Sequence, residues 1–262
     1  MKLHELNKKH QFEWFVGFVE GHGSWQAELT GRPIFVINLQ DPQILYKIKK
    51  LVGYGQVTGP YQNKSGSTYY RYRVGNLKGA KQLIEICNGR FVLNKTKKRF
   101  ENYLKVYNAL NSTDEIPLSN NKYVPTLDDP WLSGFIDAEG SFSGFVQKNP
   151  ENDEPLAVRI RFTLVQKDEQ ETMNYLSNLL GAYSSYYKSN NLTRIFCTSI
   201  KSRNIIIQYL SKYPLHSNKN IPFTRFKKIH VRLTDGKFKW RLQSRRAKER
   251  IITLVRNINK DI

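Results

Sequence analysis

The residues with the clearest chemical potential are an imidazole and a carboxylate at matching places in two similar strings. Trp14 to Trp25 reads WFVGFVEGHGSW, and Trp131 to Phe142 reads WLSGFIDAEGSF. The polar position before Gly-Ser is His22 in the first string and Glu139 in the second. Each string is apolar, with small residues at every fourth place: Gly17 and Gly21 in one, Gly134 and Ala138 in the other. That spacing lets two helix backbones approach closely. If the helices pair, their C-terminal ends meet, and an acid at each end would make a paired divalent-metal site with oxygen ligands. Either string alone is also compatible with a core helix ending in an ordinary surface acid. The repetition argues for the site.

Composition narrows the partner. The chain has 262 residues, with 42 Lys and Arg against 22 Asp and Glu, a formal charge of +20 and a pI near 9.9. The excess is spread along the sequence, which points to a polyanion, most simply nucleic acid. No apolar run reaches the roughly 18–20 residues that span a bilayer, so no membrane partner is expected. The N-terminal stretch lacks the apolar core of a secretory signal. Cys87 and Cys197 stand at no metal-ligand spacing and read as buried thiols of a reducing compartment. The five histidines form no zinc-type cluster.

The elements that must position His22 and Glu139 follow from periodicity. Phe12 to Gly23 and Trp131 to Gly140 read as buried helices closed by glycine. A strand from Ser24, a turn at Thr30-Gly31-Arg32-Pro33 and the return IFVINLQ make a hairpin. In the second half AVRIRFTLVQ alternates, placing Val158, Ile160, Phe162 and Leu164 on one face and Arg159 and Arg161 on the other. A polar helix, a second hairpin interleaving Tyr with Arg and Lys, and two further helices complete each half. The order is helix, hairpin, helix, hairpin, helix, helix, an α+β pattern. We expect an N-terminal repeat over 1–110, a proline-marked linker over 111–130 and a C-terminal repeat over 131–262. From about Lys237 the chain is strongly basic and is expected to add a helix.

Both strings look like the LAGLIDADG motif, and the chain resembles a monomeric two-repeat LAGLIDADG homing endonuclease from about Phe12 to Ile229. GFVEGHGS and GFIDAEGS are specific as a pair. The resemblance implies two pseudo-symmetric αββαββα halves packed through their motif helices. Paired antiparallel sheets would form a saddle for DNA, and Mg²⁺ (or Mn²⁺ in its place) would serve hydrolysis of phosphodiesters without a covalent enzyme intermediate. Carried over by position, Glu139 is a metal ligand, His22 occupies the matching place, and Gly21 and Ala138 adjoin them in the metal site. Imidazole suits Mg²⁺ poorly, because that ion prefers hard oxygen ligands. Glu20 and Asp137 lie two residues earlier, about 200° around the helix, and are expected to cap or pair locally. Gln40 in VINLQ and Gln166 in FTLVQ match the family's polar residue near the attacking water. An ungapped alignment from Leu93 and Leu215 pairs Lys97 with Lys219 as the lysines that support transition-state charge.

The resemblance also implies that hairpin strands read the major groove, where Arg and Lys suit guanine and Gln and Asn suit adenine. The candidate DNA contacts are Gln26, Glu28, Arg32, Asn38, Tyr70, Arg71, Arg73, Gln147, Arg159, Arg161, Lys188 and Arg194. Which of them share a face depends on strand register. The partner would be double-stranded DNA with a long asymmetric site, bound by a monomer. With His22 in place, cleavage is expected to be weakened, limited to nicking, or lost. The alternatives on the same scaffold are a group I intron RNA maturase, using a basic surface such as Lys239 to Arg250, and a DNA-binding protein without catalysis. Abundant Asn, Lys, Ile and Tyr suit an AT-rich organelle genome, and the resemblance implies a mitochondrion.

Overall fold

The structure, a computed structural model, describes residues 3–27, 31–235 and 240–260. The chain forms two compact units, Met1–Ala138 and Glu139–Ile262. In the first, α1 (Leu3–His22) leads into β1 (Ser24–Ala27), β2 (Pro33–Leu39), α2 (Pro42–Val52), β3 (Gln56–Gln62) and β4 (Thr68–Val74). Then come α3 (Leu77–Cys87), α4 (Asn94–Leu110) and α5 (Trp131–Glu139), the last residue of α5 belonging to the second unit. Helix α1 starts at Leu3 rather than Phe12. Its polar first turns include the i,i+4 pair Lys9–Glu13, with 3.7 Å between charged atoms.

The strands form one antiparallel sheet in the order β1-β2-β4-β3. Cross-strand pairing puts Trp25, Phe35 and Val74 in one row, and Ile37 and Tyr72 in the next, on the face that carries the helices. Trp25 is the anchor of this core. Its ring centroid lies 4.5 Å from Phe35 and, on the helix side, 5.6 Å from Phe91, 5.1 Å from Phe100 and 5.0 Å from Tyr103. Helix α2 is set by its sequence. Asp41 accepts from the Gln43 backbone N–H, Pro42 opens the first turn, and Gly53 closes the helix at φ 81°.

The expected linker has no regular structure, yet it is fastened to the first unit. The Asn108 side chain donates to Ile116 O at 2.9 Å and accepts from Ile116 N at 3.1 Å. Asn88 does the same to Pro117 O and Ser119 N, at 2.8 and 2.9 Å. Lys81 pairs with Asp114 at 2.6 Å. Asp129 then accepts from the Trp131 backbone N–H at 3.0 Å, capping the start of α5.

The second unit contains β5 (Ser141–Lys148), β6 (Pro155–Lys167), α6 (Gln170–Leu179), β7 (Tyr183–Tyr187), β8 (Leu192–Cys197), α7 (Ile200–Lys212), α8 (Asn220–Thr234) and α9 (Arg245–Arg256). Its sheet order is β5-β6-β8-β7, again antiparallel. The alternation in β6 holds: Val158, Ile160, Phe162 and Leu164 are buried, while Arg159 and Arg161 are exposed. Phe142 anchors this core against Phe162 at 5.1 Å, Phe223 at 5.5 Å and Phe226 at 5.3 Å. The basic C-terminal segment does supply a helix. Ile251, Ile252 and Val255 of α9 are buried on the helix-bearing side of the sheet, where Val255 lies over Gly144. Among the described residues, no helix is long and apolar enough to cross a membrane.

Candidate nucleic-acid interface and metal site

The small residues of the repeated strings bring α1 and the first-unit part of α5 into backbone contact. A Cβ on Gly17 would sit 1.9 Å from Trp131 O, and one on Gly134 would sit 1.9 Å from Trp14 O. No side chain fits at either place. Across this seam the Trp14 indole N–H donates to Asp137 Oδ2 at 2.9 Å. Glu20, the matching acid of α1, turns away to a different element. Its carboxylate accepts from the backbone N–H groups of Val92 and Leu93, the latter at 3.3 Å. Leu93 offers no side-chain cap to α4, and Glu20 instead holds the two backbone N–H groups that lead into the helix. Both acids therefore have structural roles, but neither pairs locally as expected: their partners lie 123 residues away for Asp137 and 72 and 73 residues away for Glu20.

His22 and Glu139 end their helices, and both are partly exposed. The His22 ring meets the edge of Phe18 at 5.4 Å. Glu139 is followed by Gly140 and then by Ser141, the exposed first residue of β5. Ala138 is buried and Gly21 partly exposed. Among the described residues no group of three or more His, Cys, Asp and Glu is gathered. Glu139 suits a hard divalent cation, being a solvent-reachable carboxylate beside the carbonyl-rich end of a helix, where cations are favoured. The imidazole of His22 does not suit it.

Strand register corrects two sequence alignments. In both sheets the anchor pair, Trp25 with Phe35 and Phe142 with Phe162, fixes equivalent positions. Counting on from Phe35 and Phe162 makes Leu39 equivalent to Gln166, and Gln40 equivalent to Lys167. Gln40 is exposed just beyond β2, on the outer side shared with Asn38, whereas Gln166 is buried in the helix-facing row with Thr193. The two glutamines thus hold different places. The aromatic anchors likewise make Phe100 equivalent to Phe223 and Tyr103 to Phe226. Lys219 therefore matches Thr96, which faces Glu20 at 3.5 Å, and not Lys97. Lys97 instead lines a cavity of about 250 Å³ between α4 and residues 118–122 of the linker.

The outer faces of the sheets gather most of the expected contact residues. In the first, Gln26, Asn38, Arg71 and Arg73 share the face turned away from the helices, and Arg32 is exposed before β2. Tyr70 does not join them. It lies in the row of Tyr72 and Val74, because strand parity puts it on the helix side. Glu28 lies outside the described residues. In the second sheet Gln147, Arg159, Arg161 and Arg194 share the outer face, and Lys188 is exposed in the turn after β7.

The interleaving of Tyr with Arg and Lys in the second hairpins brings aromatic rings against these arginines. The Arg71 guanidinium lies 5.4 Å from the Tyr61 centroid and 5.9 Å from that of Tyr69. Arg194 lies 5.4 Å from Tyr187 and 5.8 Å from Phe196, and Arg161 lies 5.9 Å from Phe196. The signal was present in the strings TYYRYR and YYKSNNLTRIF, where rings and cations alternate. The expected basic surface from Lys239 to Arg250 contributes Arg246, Glu249 and Arg250 to a cavity of about 540 Å³ between α8 and α9, which Arg232, Thr253 and Leu254 complete. Of the basic segment Lys239 to Arg250, Lys239 lies outside the described residues.

The family model for LAGLIDADG endonuclease matches residues 132–230. The chain is 36% identical over 226 residues to the probable intron-encoded endonuclease 4 of Neurospora crassa, covering 86% of this chain and 40% of that protein. It is 26% identical over 219 residues to the intron-encoded RNA maturase bI4 of Saccharomyces cerevisiae, covering 79% of this chain and 30% of the relative. The chain thus spans less than half the length of either relative. Its fold is that of the LAGLIDADG homing endonuclease I-GzeII, solved with its DNA target, at a TM-score of 0.75 and 19% identity over 95% of this chain and 98% of the other. The paired motif strings and the twofold repeat of helices and four-stranded sheets are thus features that the chain shares with LAGLIDADG endonucleases, by family model in residues 132–230 and by fold over nearly the whole chain.

Proposed function

We propose that this chain is a site-specific double-stranded DNA endonuclease that hydrolyses phosphodiesters at Glu139. One observation carries the reading. Glu139 is joined through Gly140 to Ser141, which opens the outer face on which Arg159, Arg161 and Arg194 stand. A carboxylate at the head of a cationic strand face is where a scissile phosphate would meet both its reaction site and its anchoring charges.

The outer-face cations neutralise phosphates and fix the register of the duplex, so affinity falls steeply with salt. Glu139 provides the hard oxygen donor for a divalent cation, with Mg²⁺ expected. When bound, such a cation would activate water and balance the charge that builds on the phosphate. Gln40, exposed just beyond β2, is assigned to orienting the attacking water. His22 withholds a second oxygen donor, so cutting is slow on one strand and the main product is a nick. The chain acts as a monomer with both repeats. The intron-encoded relatives support an organelle, expected to be the mitochondrion.

A second reading, binding of intron RNA, is favoured by the α8–α9 cavity. Its three arginines stand on the helix side of the second sheet, away from the outer face. RNA held there would leave the outer face free for DNA. A loss of RNA affinity in Arg246→Glu/Arg250→Glu, with DNA affinity kept, would support it.

The main test uses the full chain on a supercoiled plasmid carrying a duplex sequence enriched by binding from a random library. With Mg²⁺ the native chain should nick, Glu139→Gln should bind without cutting, and His22→Asp should give linear product. Cutting that survives Glu139→Gln would overturn the proposal.

A further inference from the structure

The two sheets carry the same arginine-and-tyrosine arrangement at the same place. Arg71 lies three residues before Val74, which pairs with Phe35; Arg194 lies three residues before Cys197, which pairs with Phe162. The two arginines are therefore equivalent positions on the outer faces. Their tyrosines are equivalent as well. Tyr61 pairs with Tyr69, two residues before Arg71, and Tyr187 pairs with Leu192, two residues before Arg194. A bulge conceals this in the sequence: Gly59 and Pro60 together oppose Tyr70, so the spacing from Thr58 to Tyr61 is one residue longer than from Ser185 to Tyr187.

We propose that Arg71 and Arg194 are the guanine-reading anchors of their respective sheets, each preset by its paired tyrosine. This rests on the endonuclease reading above and names the bases on which its specificity depends. Among the described residues neither arginine makes an ion pair. A guanidinium held by neutral rings keeps its full charge for a ligand, whereas a carboxylate partner would consume both charge and donors. The rings also crowd the group and limit its rotation. In Arg71 the Nε–H donates to Asn38 Oδ1 at 3.0 Å, which fixes the plane further. The Arg71 Nη2 also makes a long contact to the Tyr69 hydroxyl at 3.5 Å, and the remaining N–H groups of each guanidinium form a planar donor set whose spacing matches O6 and N7 of guanine in the major groove. A pair of ring-stacked arginines that merely stiffened the sheets would not need the same node in both repeats.

Arginine to lysine separates the fork from the charge. Each variant keeps its cation for phosphate but loses the bidentate geometry. The full-length native chain, Arg71→Lys, Arg194→Lys and Tyr187→Leu are each used, without metal, to select from a random duplex library at fixed salt. The native chain should enrich a guanine in each half of the site, preferred roughly 10- to 100-fold over other bases. Arg194→Lys should flatten one of these positions alone, Arg71→Lys the other alone, and Tyr187→Leu should weaken the same position as Arg194→Lys. Thermal melting confirms that each variant is folded. Enrichment of a defined site whose base preferences survive both lysine substitutions would overturn this inference and leave the endonuclease reading standing. Failure of the native chain to enrich any duplex would overturn both.

Discussion

Trp14 donates its indole N–H to Asp137 across the α1–α5 seam at 2.9 Å, but the reciprocal pair, Trp131 with Glu20, is not made. The two motif strings are matched residue for residue at these places, so the asymmetry has a local cause. Glutamate is one methylene longer than aspartate, and Glu20 uses that reach to accept from the loop before α4. The Trp131 indole nitrogen is left buried without an acceptor among the described residues. Such a donor costs stability, offset here by the hydrogen bonds with which Glu20 fixes the loop before α4.

Replacing Asp137 should expose the value of its half of this arrangement. Asp137→Leu would bury the Trp14 N–H without an acceptor and cost about 1–3 kcal/mol. Asp137→Asn retains an oxygen acceptor and should cost less. Chemical denaturation of both variants checks the order; equal stability of native and Asp137→Leu chains would show that the bond contributes nothing net.

The two seam glycines should tolerate no side chain. Gly17→Ala and Gly134→Ala each drive a Cβ to within 1.9 Å of a backbone carbonyl oxygen, which cannot rotate aside. Each should cost at least about 3 kcal/mol, at the upper end for overpacking. Gly144→Ala meets the Val255 and Ile160 side chains at 3.0 and 3.1 Å and Arg159 O at 3.3 Å, contacts that shifts of a few tenths of an ångström relieve, and should cost clearly less. Comparable losses at all three positions in a thermal melt would contradict the seam geometry.

Much of this was legible because local chemistry and global fold agree. The alternation in β6 and the closing glycines of the motif strings need no tertiary information. What failed was the matching of positions across loops of different length. The strings VINLQ and FTLVQ look alike, but pairing with Trp25 and Phe142 shows that their glutamines are one position apart and on opposite faces. Tyr70 was misplaced for a related reason. In TYYRYRV both parities contain aromatic residues, so hydrophobicity alone does not say which face is inside. Lys97 was paired with Lys219 by an alignment that the ring packing of Phe100 and Phe223 shifts by one residue.

Buried thiols and phenols should make the chain sensitive to alkali. Burial pushes the Cys197 thiol up to about 12, with a hydrogen bond from Ser202 acting the other way, and raises Cys87 as well. Burial also raises Tyr72 and Tyr103. The unfolded chain then loses these protons at lower pH than the folded one, so stability falls as pH climbs above the unfolded thiol value of 9.0 and continues falling toward about 12. Melting temperature should decline beyond about pH 8. Cys87→Ala should make that decline shallower. A decline equally steep in the variant would remove Cys87 from the explanation.

The twin arginine nodes differ in one respect. Asn38 stands directly opposite Arg71 and accepts from its Nε–H, whereas Val165 stands opposite Arg194, whose buried Nε has no acceptor among the described residues. Val165→Asn places in the second sheet the acceptor that the first already has. The new bond should add about 0.5–1.5 kcal/mol, less whatever the valine methyl groups contribute by apolar burial. It should also hold the Arg194 guanidinium in one plane, so the guanine preference in that half of the site sharpens while the other half is unchanged. Library selection and denaturation on the same protein give both readouts. If stability drops and the preference stays as broad as before, Arg194 is oriented by its rings alone, and Asn38 in the first sheet then serves as a base contact in its own right.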